Sequence, residues 1–110
     1  MNFEKINTEI KSFVDERDWD QFHSPKNLSM ALSVEASELV EIFQWLNDKD
    51  IDDNKDKIHQ AVKDEVVDIF YYVVRMCQKM DIDLEDAFYE KMKKNKMKYP
   101  SNLYKGKSSL

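Results

Sequence analysis

Two stretches of this chain share one apolar spacing and one interruption of it. In the first, Leu28, Leu32, Leu39, Ile42 and Leu46 fall on one face of a helix running from Leu28 to Leu46, and the position at the middle of that face is Glu35. At about 100° per residue Glu35 projects within about 20° of the centre of the stripe, and Glu38, one turn on, sits at its edge. Thirty residues later Ile58, Val62, Ile69, Tyr72 and Met76 repeat the spacing, with Glu65 at the central position and Asp68 three residues beyond it. A carboxylate buried without a partner costs several kcal/mol or takes up a proton. Two such helices packed seam to seam bring four carboxylates together, and a cation is the expected compensation. Glu41 projects about 120° from the seam and reads as an exposed residue.

The remaining composition fixes the class. Gly occurs once and Pro twice in 110 residues, and Glu, Lys, Leu, Met and Ala are plentiful, which predicts an all-α domain. A domain of this size holds a core but gains from oligomerisation. The single Cys77 cannot form an internal disulfide, and no Cys/His zinc spacing exists, so a reducing cytoplasm is the expected home and a buried small apolar role the expected use of the thiol. Met1 to Lys5 is not a basic segment leading into an apolar run, and no apolar stretch approaches membrane-spanning length, so a soluble, untargeted protein with no membrane partner is expected.

Charge is unevenly spread. From Lys91 onward there are seven lysines and no acid, which leaves the first ninety residues with ten cationic against twenty-two anionic side chains, or −12. Binding to a nucleic acid polymer depends on phosphate neutralisation, and an acidic body argues against it. A basic C-terminal stretch beside an acidic cluster suits a small polyphosphate that carries its own metal.

In chain order, residues 2–16 predict a first helix with Phe3, Ile6, Ile10 and Phe13 on one face. Residues 17–27 break the period and read as an ordered loop feeding the central helix, with Asn27 as the first choice of N-cap and Ser24, ahead of Pro25, as the second. Asn47 to Lys55 reads as an exposed Asp/Asn/Lys connection. A third helix is expected from about Asn54 to Met80, and a fourth is capped by Asp83 and stopped by Pro100, with an extended tail over 101–110.

Four oxygen ligands without thiolate or imidazole suit a hard cation, Mg²⁺ or Mn²⁺. A di-iron bundle site calls instead for Glu-x-x-His on two helices. The nearest approaches here are Asp20-x-x-His23, in a loop, and Asp56-x-x-His59, off the seam. A non-enzymatic acidic helical module that binds a basic partner, antitoxin-like or adaptor, is the rival reading. It accounts for the acidity but not for glutamates placed in an apolar seam.

Four ordered motifs carry a family resemblance. Trp19-Asp-Gln-Phe22-His23-Ser-Pro25-Lys26-Asn27-Leu28, then Glu35-Ala-Ser-Glu38-Leu-Val-Glu41-Ile-Phe43-Gln44-Trp45, then Asp64-Glu65-Val-Val-Asp68 through Tyr72, and finally Lys94-Asn95-Lys-Met-Lys98-Tyr99-Pro100, span nearly the whole chain. Together they resemble the MazG-like all-α nucleoside triphosphate pyrophosphatases, especially the branch containing dCTP pyrophosphatase. The resemblance implies a four-helix MazG-like bundle over 1–100, completed by oligomerisation into a dimer or tetramer. It also implies hydrolysis of an NTP or dNTP between the α and β phosphates, as in nucleotide-pool house-cleaning. It implies that Glu35, Glu38, Glu65 and Asp68 bind Mg²⁺, that Trp19, His23, Trp45 and Tyr72 form the base pocket, and that Lys94, Asn95 and Lys98 contact phosphate, with Lys26 and Asn27 also on the substrate. The chain departs from part of the family at Ala36-Ser37, where a Gly often stands between the two glutamates, which bears on close helix packing more than on chemistry.

General chemistry adds two expectations. Glu38, at the stripe edge nearer solvent, is the preferred carboxylate to take or hold a proton of the attacking water. Trp19, Trp45 and Tyr72 can stack on any base and so supply affinity without choice; Trp45 is expected on the same side of its helix as Glu38. Selectivity needs a donor or acceptor at a base edge, and His23, or the backbone around it, is the nearest candidate.

Overall fold

A computed structural model of the chain describes residues 1–107. Its helices are α1 (Phe3–Glu16), α2 (Pro25–Phe43), α3 (Asp48–Asp53), α4 (Lys55–Lys79), α5 (Leu84–Lys98) and α6 (Ser101–Tyr104), with a 3₁₀ turn at Asp20–Phe22. The described residues contain no strand, in accord with the all-α expectation. The chain divides into two compact units, one from Met1 to Met80 and the other starting at Asp81.

Within the first unit the main packing is α2 along α4, with α1 and α3 also laid against α4. The two apolar seams make this interface. Leu28 and Ile58 are buried, and Leu32, Glu35, Leu39, Ile42, Val62, Glu65, Ile69, Tyr72 and Met76 are all half-buried, whereas Ser33, Val34, Ala36, Lys63, Asp64 and Val66 between them are exposed. Both glutamates therefore lie in the seam, where the spacing puts them. Val14 of α1 and Val74 of α4 complete the buried apolar set of the described residues, so few side chains are fully enclosed in one copy of the chain.

Local capping sets the helix limits, and some differ from the sequence reading. Asn2 caps α1, its side chain accepting from Lys5 N at 3.0 Å. Ser24, not Asn27, caps α2: its Oγ accepts from Asn27 N at 3.1 Å, with Pro25 at the first helical position. The Asn27 side chain instead donates to Phe22 O at 3.0 Å and ties the helix to the preceding turn. At its other end α2 stops at Phe43, three residues short of the expected Leu46.

The cause is the next helix. Asn47 accepts from Asp50 N at 2.9 Å while Asp50 accepts from Asn47 N at 3.1 Å, a reciprocal cap that starts α3 within the segment expected to be a plain connection. Asp48 and Asp50 in its first turn also favour the positive end of the helix dipole. Trp45 consequently lies in the short turn between α2 and α3 rather than on the helix face that carries Glu38.

The second unit follows the sequence reading through α5. Asp83 caps that helix by accepting from Asp86 N at 3.1 Å. After Pro100 the chain does not extend directly: Ser101–Tyr104 form one helical turn, with Leu103 N and Tyr104 N donating to Pro100 O, and Tyr104 meets Tyr99 edge-on at 5.2 Å. The rest of the expected tail, 108–110, lies outside the described residues.

Candidate active site

Glu35 and Glu38 on α2 and Glu65 on α4 each place a carboxylate oxygen within 4.8 Å of the others. Glu35 Oε2 and Glu65 Oε2 are buried with no hydrogen-bond donor among the described residues. The ion pairs of the described residues go elsewhere: Lys11 to Asp15, Arg17 to Glu16, Lys49 to Asp53, and Arg75 and Lys79 to Asp20. Three carboxylates with two orphaned buried oxygens and no cationic side chain form an oxygen-only donor set of the kind that holds a hard divalent cation.

The electrostatics carry the same information. Burial first, then the hydrogen-bonding reach of Glu38 and Glu65, then the charges of Glu38 and Asp68 push the Glu35 carboxyl up from 4.5 to about 7. Glu65 is raised as well, by burial first, although the neighbouring Glu35 carboxyl works the other way. The two carboxyls titrate together as a pair. Crowded like charges resist ionisation, and bringing in positive charge relieves them.

Asp68, one turn beyond Glu65, is exposed and stands outside the group of three, but it lines an adjoining cavity of about 360 Å³ with Glu35. That cavity is walled by Trp19, Phe13, Tyr71 and Tyr72, with Glu9, Ile10 and Val67 at its edges. Tyr72 crosses Tyr71 edge-on at 4.9 Å, and Trp19 crosses Phe13 edge-on at 5.6 Å. The Tyr72 hydroxyl is held above its usual value by burial and by the negative charges of Glu35 and Asp68.

Trp19 reaches this wall because of how α1 ends. Asp18 takes a left-handed φ of 54°, Asp18 N donates to Asp15 O and Trp19 N donates back to Val14 O, both at 3.1 Å. This is a Schellman closure, with Asp where Gly is the usual choice. The Gln21 amide steadies it by donating to Asp18 O at 2.9 Å.

The other sequence-predicted site residues are placed as follows. His23 ends the 3₁₀ turn, and its Nδ1 accepts from Arg75 Nε at 3.0 Å. Asp20, its partner in the weighed di-iron spacing, is likewise taken up by Arg75 and Lys79. Lys26 is exposed in the first turn of α2. Trp45 is 85% exposed and is not among the residues lining the cavity beside Glu35. Lys94, Asn95 and Lys98 share α5 of the second unit, Asn95 half-buried and Lys98 with its ammonium 5.3 Å from the Tyr99 ring centre. Cys77 is half-buried, and burial pushes its thiol up.

Sequence reasoning passed over Tyr71 and Arg75. Tyr71 Oη is buried without a partner against the same cavity. Arg75 is 2% exposed. Its signal was an arginine inside the apolar run Tyr-Tyr-Val-Val-Arg-Met-Cys, two turns after Asp68 on the same face of α4.

Comparison with known proteins bears on this arrangement. The family model described as the MazG-like family matches residues 30–109. dCTP pyrophosphatase 1 of Rattus norvegicus is 38% identical over 96 residues, 86% of this chain and 56% of that protein, and its Homo sapiens counterpart is 37% identical over 98 residues, 87% and 58% respectively. The chain thus spans a little over half the length of these curated relatives. The crystal structure of a pyrophosphatase from Archaeoglobus fulgidus superposes with a TM-score of 0.79 at 33% identity, covering 91% of this chain and 94% of that one. No described helix is long and apolar enough to cross a membrane. With its paired acidic seams and a family match over most of its length, the chain belongs to the MazG-like family.

Proposed function

We propose that this protein is a divalent-cation-dependent pyrophosphohydrolase that cuts a nucleoside triphosphate, preferably a deoxynucleotide, to the monophosphate and pyrophosphate. The observation that carries the reading is the pair of orphaned buried oxygens on Glu35 and Glu65, with Glu38 beside them. Glu35, Glu38, Glu65 and, from the cavity side, Asp68 would hold Mg²⁺, with Mn²⁺ as a substitute. Bound there, the cation supplies charge neutralisation for the phosphate oxygens, which otherwise shield phosphorus from attack. Glu38 takes the proton of the attacking water, since it is the member of the cluster at the edge of the seam. Lys26 and Asn27, in the first turn of α2, meet the substrate's edge. Similarity to dCTP pyrophosphatase 1 and to the Archaeoglobus fulgidus pyrophosphatase supports this chemistry, for which the role is house-cleaning of nucleotide pools. Chromatographic identification of products tests it: monophosphate and pyrophosphate are expected, and release of orthophosphate with a diphosphate would exclude α,β cleavage.

Trp19 and Tyr72, which wall the cavity beside Glu35, and the exposed Trp45 are the stacking surfaces for the base. Stacking is worth about 1 to 3 kcal/mol per base and is indifferent to its identity. Trp45→Ala is therefore expected to weaken dCTP, dTTP, dATP and dGTP alike, mainly through KM. A selective loss for one base would assign Trp45 a reading role instead.

The protein is expected to act as a homo-oligomer, a dimer or tetramer, in a reducing cytoplasm. Support comes from the first unit, where Val66 and Val67 are exposed and border an apolar trough of about 730 Å³ with Ile6, Ile10 and Phe70. A second copy would cover such a surface, which is large for a monomer of this size. Light scattering at micromolar concentration should give a multiple of 13.2 kDa. A monomer would exclude assembly.

A further inference from the structure

Arg75 is the one buried charged side chain among the described residues, and every arm of its guanidinium is committed. Nη2 donates to Asp20 Oδ1 at 2.8 Å, Nη1 donates to Gln78 Oε1 at 2.7 Å, and Nε donates to His23 Nδ1 at 3.0 Å. Gln78 cannot turn its amide around, because its Nε2 donates to Asn7 Oδ1 at 2.6 Å and Asn7 O at 3.0 Å, which keeps Oε1 toward Arg75. Asp20 is held from a second side by Lys79 at 3.1 Å. Four residues from three parts of the chain thus fix the direction of one N–H bond.

That bond dictates the state of the imidazole. A guanidinium is always a donor and never an acceptor, so the nitrogen it faces must carry a lone pair. With Nδ1 accepting, a neutral ring must carry its proton on Nε2. Placing a second proton on Nδ1 would aim N–H at N–H. It would also add a charge beside Arg75 and Lys79, with Asp20 the sole anion of the cluster. Burial and the Arg75 charge accordingly hold His23 below its ordinary value, against the pull of Asp20. No described residue accepts a hydrogen bond from Nε2, and the ring is only half-buried.

We propose that Arg75 is a positioning residue for base selection: it locks His23 as the Nε2–H tautomer, so the ring offers the nucleobase a single hydrogen-bond donor and no acceptor. The inference rests on the proposed function and on the sequence reading of His23 as the nearest candidate at a base edge; Trp19, which walls the cavity beside Glu35, opens the 3₁₀ turn that His23 ends. A ring fixed as a donor donates to a carbonyl oxygen or a bare ring nitrogen on the base edge and rejects an exocyclic amino group at the same place. Without Arg75 the two tautomers would interconvert, and the same ring would serve either kind of edge.

The test begins with the unaltered protein. Long-range ¹H–¹⁵N correlation at neutral pH should show His23 with a bare Nδ1 and a protonated Nε2, and a titration should keep it neutral below the ordinary histidine range. Arg75→Gln, which can offer either end of its amide, should mix the tautomers and raise the titration point. It should also cut kcat/KM for the preferred dNTP by roughly five- to tenfold while changing the poorest one little, the loss falling on KM. A merely structural arginine would lower all four dNTPs together and leave the tautomer unmoved. His23→Asn serves if Arg75→Gln does not fold, because its Oδ1 can still accept from Arg75 while its Nδ2 amide stops short of the position of the imidazole Nε2; its dNTP ranking should flatten. A proton on Nδ1 in the unaltered protein overturns the proposal, as does an unchanged ranking in a folded Arg75→Gln or His23→Asn. Unaltered protein that releases pyrophosphate from no triphosphate would overturn the parent reading as well, whereas turnover with the wrong tautomer overturns this inference alone.

Discussion

Glu35→Gln is expected to lower turnover by roughly 10²- to 10³-fold or more while leaving the helical fold intact, and Glu38→Gln, Glu65→Gln and Asp68→Asn should each do the same. Each removes one anionic group from the proposed cation-binding set. The first substitution also has a signature in stability. Glu35 titrates near 7 in the folded chain against 4.5 when unperturbed, so the metal-free protein binds a proton there more tightly than the unfolded chain does. That contribution is fully present below about pH 4.5 and is lost as pH rises through about 7. The raised Glu65 adds to the same slope. Metal-free Glu35→Gln, neutral at every pH, should therefore be more stable than the unaltered protein at pH 8 and lose that advantage at pH 4. Circular dichroism melts across this range measure the crossing. Full activity in all four variants would remove the metal assignment.

A large stabilisation by divalent cations is the second expected result. A ligand that binds only the folded state at 100 times its Kd stabilises by about 2.7 kcal/mol. For a domain of this size that corresponds to a rise in Tm on the order of 10 °C. The rise should grow from pH 6 to pH 8, opposite to the intrinsic slope, because the cation competes with the protons on Glu35 and Glu65. Differential scanning fluorimetry with Mg²⁺, Mn²⁺ and a chelator control reads it. An acidic adaptor that uses its carboxylates only for a basic partner would melt at one temperature in all three.

What could be read from the sequence was whatever depends on period. The seams of α2 and α4 lie where the three-and-four spacing puts them, and Glu35 and Glu65 fall among Leu32, Leu39, Val62 and Ile69 as that spacing requires. Asp83 as the cap of α5 was legible for a similar reason, since a cap is a short-range pattern. The same kind of pattern was present in Asn47-x-x-Asp50, but a run of Asp, Asn and Lys has the composition of a loop, and the reciprocal cap was hidden in it. Missing α3 also displaced Trp45, because a helix expected to reach Leu46 has to end before its successor begins. Arg75 was invisible for a different reason. Its partners Asp20 and His23 stand 55 and 52 positions away, and only the packing of α4 against the 3₁₀ turn brings them together.

The central claim is that the glutamates of the two seams are buried without donors because they are cation ligands. Isothermal titration of Mn²⁺ into chelator-treated protein near neutral pH, repeated in two buffers of different ionisation enthalpy, tests it most directly. The account predicts saturable binding accompanied by proton release, since a carboxyl titrating near 7 must give up its proton to bind, and loss of both the binding and the release in Glu35→Gln. Absence of binding, or binding of equal strength in Glu35→Gln, would contradict it.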